Sequence, residues 1–174
     1  NRLIANGLMI LNKTVFLVGM MGSGKSTIGA RLAALLSLPF IDTDEYIEKE
    51  EGRSVRQIFE QEGEAYFRER EQHLLQHLPS KACVVACGGG LPCFQDQMKL
   101  LLAKGTVIYL DAKPELMFQR IQGDVQRPKL QDLAAFTRLK AEREAIYRNA
   151  HLTINAAQAI DGVLDEIVLL LENQ

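Results

Sequence analysis

The chain carries no excess of positive charge: its formal net charge is −2 over 174 residues. No overall basic field draws nucleic acid, so no nucleic-acid partner is expected. Nor does any apolar run reach the roughly 20 residues needed to cross a bilayer as a helix, so no membrane partner is expected. Residues 1–11 lack the basic start and small-residue cleavage site of a secretory signal. Cysteine is scarce. Cys83, Cys87 and Cys93 are an odd number crowded into one segment, against a secreted disulfide framework. They make no Cys-x-x-Cys pair and have no nearby histidine to complete a zinc site, so they read as ordinary thiols of a reducing compartment, the cytoplasm. The sequence also lacks repeats, linkers and low-complexity tracts, so residues 1–174 read as one domain. Met9, just upstream of the first strand, reads as a natural start, with 1–8 as an added extension.

What is present is a globular balance, 47% hydrophobic and 24% charged, in a chain long enough for a sizeable core. Apolar runs at 12–19, 39–42, 82–87, 106–110 and 152–154 read as five strands. Between them lie helical patterns: one from Lys25 with a stripe of Ile28, Leu32, Leu35 and Leu36, and a charged stretch from Glu45 to Leu78. Gly52 and Gly63 break that stretch, and Ser54 is an N-cap. Further helices are expected over 92–103, from Pro114, over 133–148 and over 161–171. Continuously apolar strands alternating with helices predict a parallel sheet covered on both faces, a three-layer α/β/α fold.

One motif stands in the context that makes it credible. Gly19-Met20-Met21-Gly22-Ser23-Gly24-Lys25-Ser26 follows a strand and opens a helix. Glycines let backbone N–H groups turn in around phosphate oxygens, and the helix N-terminus adds partial positive charge. Gly22, Ser23, Gly24, Lys25, Ser26 and Thr27 are the expected nucleotide contacts. Lys25 reaches the β- and γ-phosphates of ATP, and the Ser26 hydroxyl ligates Mg²⁺.

Asp42-Thr43-Asp44 follows the second strand. In extended chain, residues two apart point the same way, so both carboxylates would face the crevice beside the phosphate loop. One could organise Mg²⁺ through water and the other take or orient a substrate hydroxyl. The competing reading makes Asp44 a helix N-cap. Four arginines, Arg68, Arg120, Arg127 and Arg148, are candidates for binding phosphoryl oxygens or a carboxylate, with Glu71 one turn after Arg68 to hold it. Val107 to Asp111 has the look of a metal-binding strand end, but Asp111 is read as a turn or cap residue. His73 and His77, four apart without a third ligand, are read as a solvated face.

From Thr14 to about Glu172 the ordered set of motifs resembles the shikimate kinase family. The set comprises the phosphate loop, Phe40 to Asp44, Ile47-Glu48, Gly52 to Ser54, Ile58-Phe59, Gly63-Glu64, Phe67-Arg68 with Glu71, Gly88 to Gly90, Arg127-Pro128 and Tyr147-Arg148. The resemblance implies a P-loop kinase with strand order 2-3-1-4-5 and a mobile lid at about 123–131. It implies a monomer that transfers the ATP γ-phosphoryl group to the 3-hydroxyl of shikimate, with Mg²⁺. It implies that Lys25, Asp44 and Arg127 are catalytic, and that Ser26 and Asp42 belong to the metal shell. Asp44, Arg68, Glu71, Gly89, Gly90 and Arg148 would bind shikimate, with Arg68 and Arg148 clamping its carboxylate. Arg120 would stack near adenine, and Arg127 would close over the γ-phosphate. The loop Asn155 to Gln158 lacks the arginine and proline of that family near adenine.

Two rivals stay open. Another small-molecule kinase of the fold, such as a gluconate kinase, would not need the triple-glycine loop together with Arg68 and Arg148. A nucleotide-binding regulatory module without catalysis would not need Asp44, Lys25 and Arg127.

Overall fold

A computed structural model of the chain describes residues 13–122 and 132–173. Strand β1 (Thr14–Val18) buries Val15, Phe16, Leu17 and Val18 completely. At about 1.5–3 kcal/mol per large apolar side chain removed from water, these four anchor the centre of the sheet. The chain turns through the glycine loop into α1 (Lys25–Leu36), which buries Ile28, Gly29, Leu32 and Ala33. This face differs from the stripe expected from periodicity. Leu35 is 40% exposed, because small Gly29 and Ala33 turn the helix toward the sheet, where Gly29 meets the Phe40 ring and Leu17.

After β2 (Phe40–Asp42) come α2 (Thr43–Glu51), α3 (Val55–Gln61) and α4 (Gly63–Gln76). Gly52 ends α2 in the left-handed region (φ 64°), and Ser54 opens α3 with a reciprocal capping box to Gln57. Ile47, Ile58 and Phe67 form a second, smaller core that binds these three helices together.

β3 (Val84–Ala86) leads through Gly88 to Gly90 into a 3₁₀ turn, Leu91–Cys93, then α5 (Gln97–Lys104). The single helix expected over 92–103 is thus two pieces, parted at 94–96 where Gln95 has a φ of 48°. β4 (Gly105–Asp111), α6 (Pro114–Ile121), α7 (Leu133–Tyr147), β5 (Leu152–Asn155) and α8 (Ile160–Glu172) complete the described chain.

The five strands pair in parallel in the order β2-β3-β1-β4-β5, the order the resemblance implied. β1, β3 and β4, at the centre, are the most deeply buried. Three neighbouring strands, β2, β3 and β1, therefore deliver three loops to one edge. These are Asp42 to Asp44, Gly88 to Gly90 and the phosphate loop, gathered where ligands bind in open parallel sheets. Among the described residues no helix is long and apolar enough to cross a membrane.

Candidate active site

In the phosphate loop Gly19, Gly22 and Gly24 all have positive φ (140°, 78° and 94°). Gly22 has a second reason to be glycine: a Cβ there would run into the Met117 carbonyl of α6. The Lys25 ammonium donates to the carbonyls of Gly19 (2.9 Å) and Met20 (2.8 Å), spanning the loop. Ser23 is fully buried, and its hydroxyl has no hydrogen-bond partner among the described residues.

Ser26 Oγ donates to Asp42 Oδ2 at 2.5 Å. Asp42 Oδ1 accepts from the backbone N–H of Asp44 (3.0 Å) and Glu45 (3.3 Å). The cap of α2 is therefore Asp42 and not Asp44. The two aspartates also do not share one extended face, because β2 ends at Asp42 and Thr43 already begins the helix. Asp42 turns to Ser26, whereas Asp44, in the first helical turn, turns to Gly88. A hydroxyl and a carboxylate side by side are hard oxygen donors, and one or two such ligands beside a phosphate site suit Mg²⁺. Among the described residues no cluster of three or more His, Cys, Asp or Glu offers a closed metal cage.

The second half of the site is built on α4 and the glycine loop. Arg68 is 7% exposed. Its Nη1 donates to Glu71 Oε2 (2.6 Å), and its Nη2 and Nε donate to Glu64 Oε1 (2.9 and 3.2 Å). Its guanidinium packs against Gly90, where an added Cβ would stand 2.8 Å from Cζ and would have to displace it. Burial pushes the Glu71 carboxyl up to about 7, against the pull of Arg68 and with help from the charge of Asp44. Thr43, fully buried, accepts the Gly88 N–H on its hydroxyl (2.8 Å) and so ties the two loops together.

Helix α7 supplies the remaining wall. Phe136, Lys140, Arg143 and Tyr147 lie along one stripe. Phe136 and Tyr147 are fully buried, and Lys140 pairs with Asp111 (3.0 Å) and Glu144 (2.6 Å). Tyr109 also donates to Asp111 (2.9 Å), so Asp111 serves a structural network at the end of β4. Docked this way, α7 sends the Tyr147 hydroxyl to the Gly89 carbonyl (2.6 Å). It also places Arg143 Nη1 4.0 Å from Met20 Sδ and 3.6 Å from where a Gly89 Cβ would stand.

Arg148 does not share that direction. It is the C-cap of α7, its side chain is 62% exposed, and it pairs with Glu144 at 2.7 Å. Residues five apart on a helix are turned by about 140°, so the face that carries Arg143 inward carries Arg148 out. The structure thus corrects the expected pairing of Arg148 with Arg68: the arginine of α7 beside the glycine loop is Arg143. Sequence reasoning named Thr43 and Tyr147 within motifs but gave neither a role. The stripe at 136, 140, 143 and 147 was the signal available for Arg143.

Arg120 donates to the carbonyls of Gly22 (3.3 Å) and Ala156 (3.1 Å). It borders a cleft of about 190 Å³ lined also by Gly24, Thr27, Ile28 and Ile160. His73 and His77 stack at 4.1 Å on an exposed face. The three thiols are free, as expected. Arg127 and the expected lid at 123–131 lie outside the described residues, as does Met9.

The shikimate kinase family model matches residues 21–172. The shikimate kinase of Persephonella marina is 42% identical over 145 residues, covering 82% of this chain and 88% of its own. That of Aquifex aeolicus is 38% identical over 160 residues, 91% and 95% of the two chains. Among solved structures, shikimate kinase from Acinetobacter baumannii in complex with shikimate superposes with a TM-score of 0.88 at 38% identity, over 96% of each chain. A gluconokinase from Sinorhizobium meliloti, covering 94% of this chain and 96% of its own, shares the fold alone, with a TM-score of 0.55 at 18% identity. The chain belongs to the shikimate kinase family.

Proposed function

We propose that this single domain transfers the γ-phosphoryl group of ATP to the 3-hydroxyl of shikimate, giving shikimate 3-phosphate and ADP. The observation that carries the assignment is convergence. Two inward arginines, Arg68 and Arg143, and a carboxylate, Asp44, meet at Gly88 to Gly90 beside the phosphate loop. Arg68 and Arg143 bind the acceptor's carboxylate, and backbone N–H groups of the glycine loop add to it. This places an acceptor hydroxyl at Asp44. The hydroxyl oxygen attacks the γ-phosphorus, the bond to the β–γ bridging oxygen breaks, and Asp44 takes the hydroxyl proton.

Gly22 to Thr27 and Lys25 hold the phosphates. The ammonium of Lys25 turns from the Gly19 and Met20 carbonyls to the more negative phosphate oxygens. Arg120 and the cleft beside it take the nucleoside end. Ser26 and Asp42 would hold Mg²⁺, which when bound neutralises phosphate charge. Much of the work left to the protein is positioning and charge neutralisation. The three free thiols suit a reducing compartment, and action in the cytoplasm as a monomer is part of the proposal.

The test is a coupled ADP-release assay with shikimate, quinate, gluconate and nucleoside monophosphates as acceptors. Shikimate-dependent release of one ADP per phosphorylated product is expected. Turnover of gluconate in preference to shikimate would overturn the assignment.

A further inference from the structure

Arg68 is already spoken for. Its guanidinium is shared between Glu71 on one side and Glu64 on the other, with 2.6 and 2.9 Å contacts. Glu64 is a surface side chain, 62% exposed, and can swing into water. Glu71 cannot: its side chain, on the buried face of α4, is 2% exposed and lies against Gly88. Only one of its oxygens, Oε2, faces Arg68. The other, Oε1, is buried without a hydrogen-bond partner among the described residues.

That second oxygen looks toward Gly88. A Cβ placed there would meet Glu71 Oε1 at 3.0 Å and Asp44 Oδ1 closer still, so two carboxylates converge on one small volume. Among the described residues, the charged or titratable groups acting on Glu71 include Arg68 and Glu64 from α4, Asp44 from α2 and the Cys87 thiol at the end of β3. Burial holds that thiol neutral, its titration pushed far above the usual range. The Arg68 guanidinium is thus already shared by Glu71 and Glu64 before any ligand arrives. An acceptor carboxylate on Arg68 adds another negative charge to this pocket, where charges are weakly screened.

We propose that Glu71 is a proton-linked positioning residue: an anionic acceptor carboxylate binds Arg68 together with one proton, which goes to Glu71. The inference rests on the reading that the acceptor presents a carboxylate to Arg68. The proton comes from solvent and adds to a Glu71 carboxylate oxygen; no other bond forms or breaks. Neutral Glu71 relaxes its claim on Nη1, and the arriving carboxylate takes the charge-assisted hydrogen bonds. The rise of the Glu71 carboxyl to about 7 in the ligand-free protein places this exchange in the neutral range. A further negative charge nearby moves it upward, which is why binding takes up a proton rather than releasing one.

The test is titration calorimetry of the whole chain with shikimate, in pairs of buffers of different ionisation enthalpy, from about pH 6 to 8.5. Wild type takes up a growing fraction of one proton as pH rises through about 7. Its Kd for shikimate then rises toward tenfold per pH unit, the slope for one linked proton. The KM for shikimate follows the same profile while the KM for ATP does not. Glu71→Gln, which keeps the shape and the neutral form, binds shikimate without proton uptake and with a flat Kd profile. Shikimate methyl ester, lacking the charge, binds wild type with no uptake.

Uptake that persists in Glu71→Gln overturns the proposal, as does its absence in wild type. Should Glu71→Gln not fold, equal uptake for shikimate and its ester in wild type overturns it alone. Wild type that binds no shikimate at all overturns instead the acceptor assignment beneath it, and the two failures look different in the heats.

Discussion

Replacing Arg143 and Arg148 by alanine, one at a time, separates the arginine that the structure turns inward from the one that the sequence reading had chosen. Arg143 is half-buried and points at Gly89 and Met20, whereas the Arg148 side chain is 62% exposed and pairs with Glu144. On the proposed reading, in which Arg143 is one arm of a carboxylate clamp, its removal loses charge-assisted hydrogen bonds and leaves the acceptor carboxylate short of a partner, about 2–4 kcal/mol. At 1.36 kcal/mol per tenfold this is roughly 30- to 1,000-fold in kcat/KM for shikimate. Removing Arg148 loses a solvent-screened pair worth about 0.2–1 kcal/mol of stability, which changes kcat/KM by less than about threefold. The assay is initial rate of ADP release against shikimate concentration at saturating ATP, repeated against ATP at saturating shikimate. The loss in Arg143→Ala should fall on the shikimate side, with the KM for ATP little moved. An Arg148→Ala enzyme as crippled as Arg143→Ala would refute the placement of α7 on which this reasoning stands.

Three further outcomes are expected. Lys25→Ala should lower kcat by about 10²–10³ or more, as losing a preorganised cationic donor does, while circular dichroism and Tm stay close to wild type. Gly90→Ala should destabilise by about 1–3 kcal/mol and raise the KM for shikimate, because its methyl displaces a guanidinium pinned by Glu64 and Glu71; unchanged values of both would contradict the close packing. Glu71 titrates at about 7 in the fold, against an ordinary value of 4.5. Between these values the unfolded chain has lost the proton and the folded chain keeps it. The contribution of Glu71 to stability is thus full below about pH 4.5 and is lost as pH rises through 7. Denaturant midpoints measured from pH 4.5 to 8 should fall less steeply in Glu71→Gln than in wild type, and parallel curves would argue against the raised value.

The parts legible in the sequence are those governed by neighbours in the chain. A strand, a glycine loop and a helix beginning at Lys25 can be read from 14 to 36, because phosphate-loop geometry is local backbone chemistry. The alternation of apolar strands with helices implied a parallel sheet, and strand order came from the resemblance of the motif set. Ser54 as a cap and Gly52 and Gly63 as breaks follow from the same short-range rules.

What the sequence left open depended on how one element lies against another. Strand alternation suggested that Asp42 and Asp44 point together. Where β2 stops, one residue before Thr43, decides that one meets Ser26 and the other meets Gly88. Leu35 and Gly29 are both on α1, and only the approach of Phe40 shows that the glycine, not the leucine, faces the sheet. The sequence reading named Arg148 for the carboxylate clamp and left Arg143 without a role. The docking of α7 through Phe136, Lys140 and Tyr147 selects between them. The raised Glu71 carboxyl exists only because α4, α2 and the glycine loop remove it from water together. Backbone conformation follows from a few adjacent residues, but side-chain direction and charge state follow from the packing of residues far apart in the chain, which tertiary structure alone decides.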